Sequence, residues 1–432
     1  MKLQHCIIFV CCSCFMQIST SQNPAFDNLR VDFIKGYTKL QVPDLQIDYV
    51  NTLQSIKSKD DVQFQEAFFK DINKKLQNVD VSSLPTDQKL DFHILQYETR
   101  LNLIRLELEK KWNPKEKLNS NSSIYTVQNG KEWYAYLLKR WVDLDTEPNN
   151  MFRFGLKEIE KVKSEMKMIQ LESGLSKEAF SKFLNDSTFY FHHEQDVKNA
   201  FLKIKSKVAH TSGELFPYIK DIPDVSITRG TNDALAHVPA YYGNRTFYFN
   251  FFDEPFNKRQ LGWFYAHEAI PGHHYQFMVN DIVKRTELQN LFWYAGFAEG
   301  WGAYVEYLGN ELGVFNSIYD EYGKWEWDLI RSVRVCLDVA INYYGWSDEK
   351  ALEFWKKHIE DQDDIGIREI NRMKRWPAQV ITYKYGANLL LKLLKKAKRS
   401  KTFDYKKFHE NILKNGDIPL SVLGILIASE EG

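Results

Sequence analysis

Apolar residues recur every three to four positions through Asp87–Trp112, Asn149–Leu171, Gln195–Tyr218, Ile318–Tyr344, Ser347–Ile359 and Ile381–Lys398. That period lines one face of a helix, whereas a half-buried strand needs a period of two. A chain patterned this way buries its apolar surface by packing helix on helix, which predicts a mainly helical fold. One segment departs from the pattern. Arg245–Phe252 is dense in aromatics and flanked by Gly243-Asn244 and Asp253-Glu254-Pro255, so it reads as a strand, with Val225–Thr228 as a second, shorter one. No internal repeat or Pro-rich linker divides the chain. The expected organisation is a helical region over 22–220 followed by a second region over 221–432. Residues 114–130, nearly all polar from Asn119 to Ser123, read as a surface loop.

With 432 residues, 44% of them hydrophobic, the chain can build a large core, and disorder is excluded as a description of the whole. The N-terminus has the layout of a secretory signal: Lys2, an apolar run from Cys6 to Met16, then Ser19-Thr20-Ser21. Residues 1–21 are expected to be removed, placing the protein in the periplasm or outside the cell. A lipid anchor on Cys12 or Cys14 is the variant of this reading, although Val10-Cys11-Cys12 makes a poor lipobox. Four of the five cysteines fall in this segment, leaving Cys336 and no intrachain disulfide. Without residues 1–21, 57 − 1 = 56 basic residues face 57 acidic ones, a net charge of −1 with histidine neutral, and nothing points to nucleic acid. No later run of eighteen uncharged apolar residues predicts a membrane span.

The chemistry concentrates in Gly262–His274. A zincin helix carries HExxH, in which a spacing of four puts both imidazoles on one face with the glutamate beside the metal. Here His267-Glu268 is followed by Pro271 at the fourth position, and the next histidine is His273. On an unbroken helix a spacing of six would swing the second ring about 120° off the face. Pro271-Gly272 offers a bulge that restores alignment, since proline removes a helix hydrogen bond and glycine tolerates unusual backbone angles. His274, at spacing seven, returns to the face but lies about 10 Å further along the axis. His273 is therefore the preferred second ligand, with His274 as its alternative. Glu299, in the helical run Phe297–Glu306, supplies a carboxylate, and two nitrogens with one oxygen leave a fourth position open for water, as a catalytic zinc requires. Glu306, seven residues on, is expected to orient a ligand histidine, and His274 is a second candidate for that task. One Zn2+ per chain would polarise the scissile carbonyl and acidify its water, while Glu268 takes the proton.

The motifs His267–His274, Phe297–Glu306, Arg331–Asp338 and Arg375–Tyr383, with the fragments Asp91–Leu95 and Ala240-Tyr241-Tyr242, resemble the bacterial domain-of-unknown-function 885 family over roughly residues 85–430. The resemblance implies a zincin-like, gluzincin-type helical fold around a small sheet beside the active-site helix. It also implies His267, His273 and Glu299 as metal ligands and Glu268 as base. This chain is shorter than the family's usual members, mainly ahead of His267, which implies a reduced substrate cleft.

Around that core, Tyr383 is the expected oxyanion donor on a helix entered through Pro377, with Tyr385 as its competitor. Tyr241, Tyr242, Asn250, Arg334 and Arg372 are expected to meet substrate. Arg245–Phe252 is expected to act as an edge strand that pairs with an extended peptide. The alternative for the Arg331/Arg334/Asp338 row is an ion pair within one helix. His192-His193-Glu194 reads as a polar helix start, and His237 has no assigned role. The expected activity is zinc-dependent cleavage of a peptide bond. Hydrolysis of another amide or an ester, or non-catalytic peptide binding, are the competing readings.

Overall fold

The computed structural model describes residues 23–430 except 57, 114, 115, 117, 120, 237, 253 and 254. The expected signal segment and His237 lie outside the described residues. The first part of the chain is helical: α1 Pro24–Leu40, α2 Tyr49–Gln54, α3 Lys59–Gln77, α4 Thr86–Glu109, α5 Gly130–Trp141, α6 Pro148–Glu172, α7 Lys177–Leu184 and α8 Glu194–Leu215. After a short β-region follow α9 Leu261–Glu268, α10 His273–Ile282, α11 Ala295–Val305, α12 Ile318–Asn342, α13 Asp348–His358, α14 Asp363–Arg375, α15 Ile381–Ala397, α16 Tyr405–Leu413 and α17 Leu420–Glu430. All six segments read as helices from their periodicity are helices. His193 is the N-cap residue of α8, as a polar start requires.

Helix α12 is the axis of the molecule. Its start is fixed by a reciprocal cap in which Ser317 accepts from the Asp320 backbone and the Asp320 side chain accepts from the Ser317 backbone. From Asp328 to Asn342 every residue is buried, so the helix is enclosed on all sides, with α6, α14 and α15 packed around it. Lys324 and Asp328 pair within the helix at 3.4 Å, while other buried polar residues of the helix reach partners on neighbouring elements. Arg331 pairs with Glu306, Arg334 pairs with Glu369, and Asp338 accepts from Tyr134 and from the Ala378 backbone. An ion pair within the Arg331/Arg334/Asp338 row, the alternative reading, is not formed. Cys336, on the same helix, is a free, buried thiol.

The β-region contains β1 Tyr190–Phe191, β2 Ser226–Arg229, β3 Ala240–Gly243, β4 Thr246–Phe249 and β5 Phe256–Asn257. β1 and β5 form a two-residue antiparallel ladder. The other three form a sheet in the order β2-β4-β3, with β2 parallel and β3 antiparallel to β4. Asn244 and Arg245, at φ 49° and 57°, make the tight turn between β3 and β4. Along β4, Phe247 and Phe249 point inward onto Phe201 of α8, and Phe247 also meets Tyr265 of α9. This packing seats the sheet against the histidine-bearing helix. It also corrects an expectation: the aromatic strand is central, with both sides paired, and β3 is the edge strand nearest that helix. Among the described residues no helix is long and apolar enough to cross a membrane.

Candidate metal centre

Helix α9 stops at Glu268 because the next four residues leave helical geometry. Ala269 sits at φ −107°, ψ −106°, Pro271 follows a cis bond, and Gly272 takes φ −81°, ψ −133° before α10 opens at His273. A side chain at 272 is ruled out, since a Cβ there would lie 1.8 Å from the His267 carbonyl oxygen. Trp301 of α11 donates its indole N–H to the Pro271 carbonyl at 2.7 Å and pins the break. The spacing of six is thus accommodated by two separate helices and not by a bulge inside one. The His267 and His273 rings meet with centroids 4.8 Å apart at 89°.

Helix α11 supplies the rest through its own period. Glu299, Gly302 and Glu306 follow one another on one face at spacings of three and four. Glu299 Oε2 lies 3.3 Å from His273 Nε2. Gly302 lies against the His267 ring, where a Cβ would stand 2.8 Å from Cε1. Glu306, fully buried, accepts from His267 Nδ1 at 2.6 Å and from Arg331 at 2.5 Å. A carboxylate at Nδ1 holds the proton there and turns the Nε2 lone pair toward the cluster. Glu268 Oε1 stands 4.0 Å from that Nε2.

One donor atom each from His267, His273 and Glu299 lies within 4.8 Å of the other two. Donors on one zinc stand within about 4 Å of each other, so a small inward rotation of the side chains gathers these three. The donor set, two imidazole nitrogens and one carboxylate with an open side toward a cleft, fits a divalent cation of zinc's type. Burial raises the pKa of the Glu268 carboxyl, as do Glu299 and Glu306, against the opposing pull of His267 and His273. Burial acts on Glu299 in the same sense, but its hydrogen bond and charge contact with His273 prevail and hold it at about 2.

The cluster opens into a cleft of about 460 Å³ lined by Tyr241, Tyr242, Arg334, Arg372 and Tyr383. The Tyr383 ring stacks on His267 at 6.2 Å. Its oxygen accepts from Arg372 and from Gln379, each at 3.4 Å, so its own proton is free to point into the cleft. Tyr385 packs on Phe154 and does not line the cleft.

Two expected site residues are elsewhere. His274 neither touches the cluster nor orients a ligand. Its Nε2 donates to the Pro223 carbonyl at 2.7 Å, so Nδ1 accepts from the Tyr242 hydroxyl at 3.1 Å, and the ring anchors the edge strand. Asn250 is buried behind the sheet, where it donates to the Leu235 carbonyl at 2.5 Å and to the Val238 carbonyl, bracing the loop ahead of β3. Conversely, Arg368, Glu369 and Phe277 line the cleft without having been expected there. The first two sit on α14, where the buried pair Ile370 and Met373 at a spacing of three is the one sequence signal that could have found the helix.

The fold and site together define a mostly helical protein whose buried two-histidine, one-glutamate cluster faces a cleft beside a small sheet. The chain belongs to the family described as "Bacterial protein of unknown function (DUF885)", whose model matches residues 104–427. No curated protein matches it. Among solved structures it is similar to "the putative lipoprotein from Colwellia psychrerythraea", with TM-score 0.65 and 22% identity over 86% of this chain and 69% of that one. It is also similar to "a putative lipoprotein of unknown function from Shewanella oneidensis", with TM-score 0.69 and 14% identity over 93% of this chain and 99% of that one. These likenesses establish the shared fold.

Proposed function

We propose that this protein is an exported zinc-dependent hydrolase of gluzincin type that cleaves peptide bonds. The observation that carries the reading is the convergence of His267, His273 and Glu299 with Glu268 beside them in one cleft. A zinc ion held by His267, His273 and Glu299 would supply Lewis acidity and make water a better nucleophile. Glu268 would take a proton from the attacking water and pass it to the leaving nitrogen, a task suited to a carboxyl whose pKa burial raises. Tyr383 donates its free proton to the oxygen that becomes negative. The outer side of β3 pairs with no described strand, and its residues line the cleft, so its backbone groups can hold an extended substrate. Glu306 and Arg331 keep His267 in the tautomer that presents Nε2. Export rests on the layout of residues 1–21 and on the lipoprotein descriptions of the two similar structures.

The test is a peptide-library digest with metal-loaded protein, with chelated protein, and with the Glu268→Gln variant. The expected result is about one zinc per chain, cleavage that chelator abolishes, and a variant that keeps zinc and fold but loses nearly all turnover. Undiminished cleavage by Glu268→Gln would sink the assignment.

A further inference from the structure

One wall of the cleft is unusually rich in guanidinium groups. Arg334 on α12 and Arg368 and Arg372 on α14 all line it, and the only carboxylate that pairs with them among the described residues is Glu369, 3.1 Å from Arg334 and 3.8 Å from Arg372. Arg331 does not enter this count because Glu306 takes it. Three guanidinium groups share the single carboxylate Glu369, with Arg372 also donating to Gln379 and sensing the charge of Glu299, so the wall carries an excess of positive charge. Arg368 is exposed to solvent, but for the buried Arg334 a charge only partly compensated out of water is costly. The Arg334 side chain is only 4% exposed, and its Nε, like that of Arg372, is buried without a hydrogen-bond partner.

These cations stand at a defined place relative to the metal cluster. The Arg334 guanidinium lies 5.3 Å from the centre of the Tyr383 ring, and Arg372 donates to the Tyr383 oxygen. Tyr383 in turn stacks on His267. The arginine wall is therefore one aromatic ring away from the cluster. Extended peptide advances about 3.3–3.6 Å per residue, so across the 5.3 Å and 6.2 Å ring separations an anion seated on the wall lies within about three residues of a carbonyl at the cluster. Guanidinium forks match carboxylate geometry and bind it by paired, charge-assisted hydrogen bonds.

We propose that Arg334, Arg368 and Arg372 form a subsite for a substrate carboxylate within about three residues of the bond cleaved. This rests on the peptidase reading above and names its substrate class. The carboxylate is either a peptide's C-terminus, which makes the action an exopeptidase's, or an acidic side chain.

Three probes separate the sources: acetylated tetra-alanine with a free carboxylate, the same peptide amidated, and an amidated version ending in glutamate. Binding is measured by calorimetry on metal-stripped protein, where no turnover intervenes, and hydrolysis on the zinc-loaded protein. At least one carboxylate-bearing probe is expected to bind about tenfold or more tighter than the uncharged one. Preference for the free terminus alone assigns a C-terminal subsite, and equal gain from the glutamate amide assigns an acidic side chain. The Arg368→Gln/Arg372→Gln double variant is expected to erase the preference while keeping thermal stability, and the exposed Arg368 makes Arg368→Gln alone a folding-safe second variant with a partial loss. Equal binding of all three probes, or a preference that survives the double variant, overturns the proposal. Equal binding with hydrolysis of all three leaves the peptidase reading standing without this subsite. A binding preference without any hydrolysis leaves the subsite standing without the peptidase.

Discussion

Replacing Glu306 with glutamine asks whether the carboxylate behind His267, and not the imidazole alone, fixes the metal site. Both Glu306 oxygens are used, Oε1 by His267 at 2.6 Å and Oε2 by Arg331 at 2.5 Å, and no side chain of the three is more than 7% exposed. Glutamine keeps the volume but has a single acceptor. If that oxygen stays with His267, the amide N–H faces the Arg331 guanidinium, donor against donor. Arg331 is left as a buried cation with no ion-pair partner among the described residues, and breaking a buried pair from one side costs about 3–5 kcal/mol. Removing the carboxylate partner of a ligand histidine lowers metal affinity by about 10–100-fold. Zinc affinity is read by competition with a chromophoric chelator, and stability by urea unfolding of the metal-free protein. Both are expected to fall. A folded variant with undiminished zinc affinity would refute the orienting role and reduce Glu306 to a partner for Arg331.

His273→Ala is expected to lose zinc, whereas His274→Ala keeps it, because His274 is tied to Pro223 and Tyr242 and not to the cluster; metal analysis giving the reverse would show that the wrong imidazole was chosen. Tyr383→Phe should lower kcat by about 10²-fold with little change in KM, and Tyr385→Phe, which only repacks against Phe154, should leave both unchanged. Asp338 is buried with Oδ2 unpartnered, and that burial pushes its pKa up to about 7, above the value of about 3.9 of an unfolded chain. Its contribution to stability is therefore fully present below about pH 4 and lost as pH rises toward 7. Urea unfolding of wild type and Asp338→Asn at pH 4, 5.5 and 8 should show the wild type losing ground as pH rises, and parallel pH profiles would contradict this.

The readability of this chain from its sequence follows the range of the forces involved. Helices such as Pro148–Glu172 and Ile318–Asn342 announce themselves because their apolar stripes repeat locally. The helix Asp363–Arg375 escaped notice because charged residues outnumber apolar ones within it, and with it went Arg368 and Glu369 of the cleft wall. Strand rank in the sheet is a tertiary property: the aromatic alternation of Thr246–Phe249 marks a strand, but nothing in it says that partners occupy both sides. His274 and Asn250 looked like site residues because polar groups near a motif invite that reading. Their actual partners are backbone carbonyls as far as 51 residues away and, for His274, the Tyr242 hydroxyl, which no local pattern reveals.

The spacing of six has a structural consequence that a single HExxH helix does not share. In one helix two imidazoles at spacing four are registered by the backbone itself. Here the register between His267 and His273 depends on the broken segment between α9 and α10, and that segment is held from outside. Trp301 grips the Pro271 carbonyl, and the tight approach of Gly272 to the His267 carbonyl admits no side chain. Trp301 lies two residues after Glu299 on the same helix, so one rigid element carries the third donor and the clamp on the second. A displacement of α11 would therefore move Glu299 and His273 together relative to His267. The Glu-Gly-Trp run is in this sense part of the candidate metal site's construction: Glu299 contributes a candidate donor, Gly300 brings α11 against α15, where a Cβ would lie 2.6 Å from Gly386, and Trp301 holds the segment from which His273 enters. Because α15 also carries Tyr383, that same close crossing places the phenol against His267.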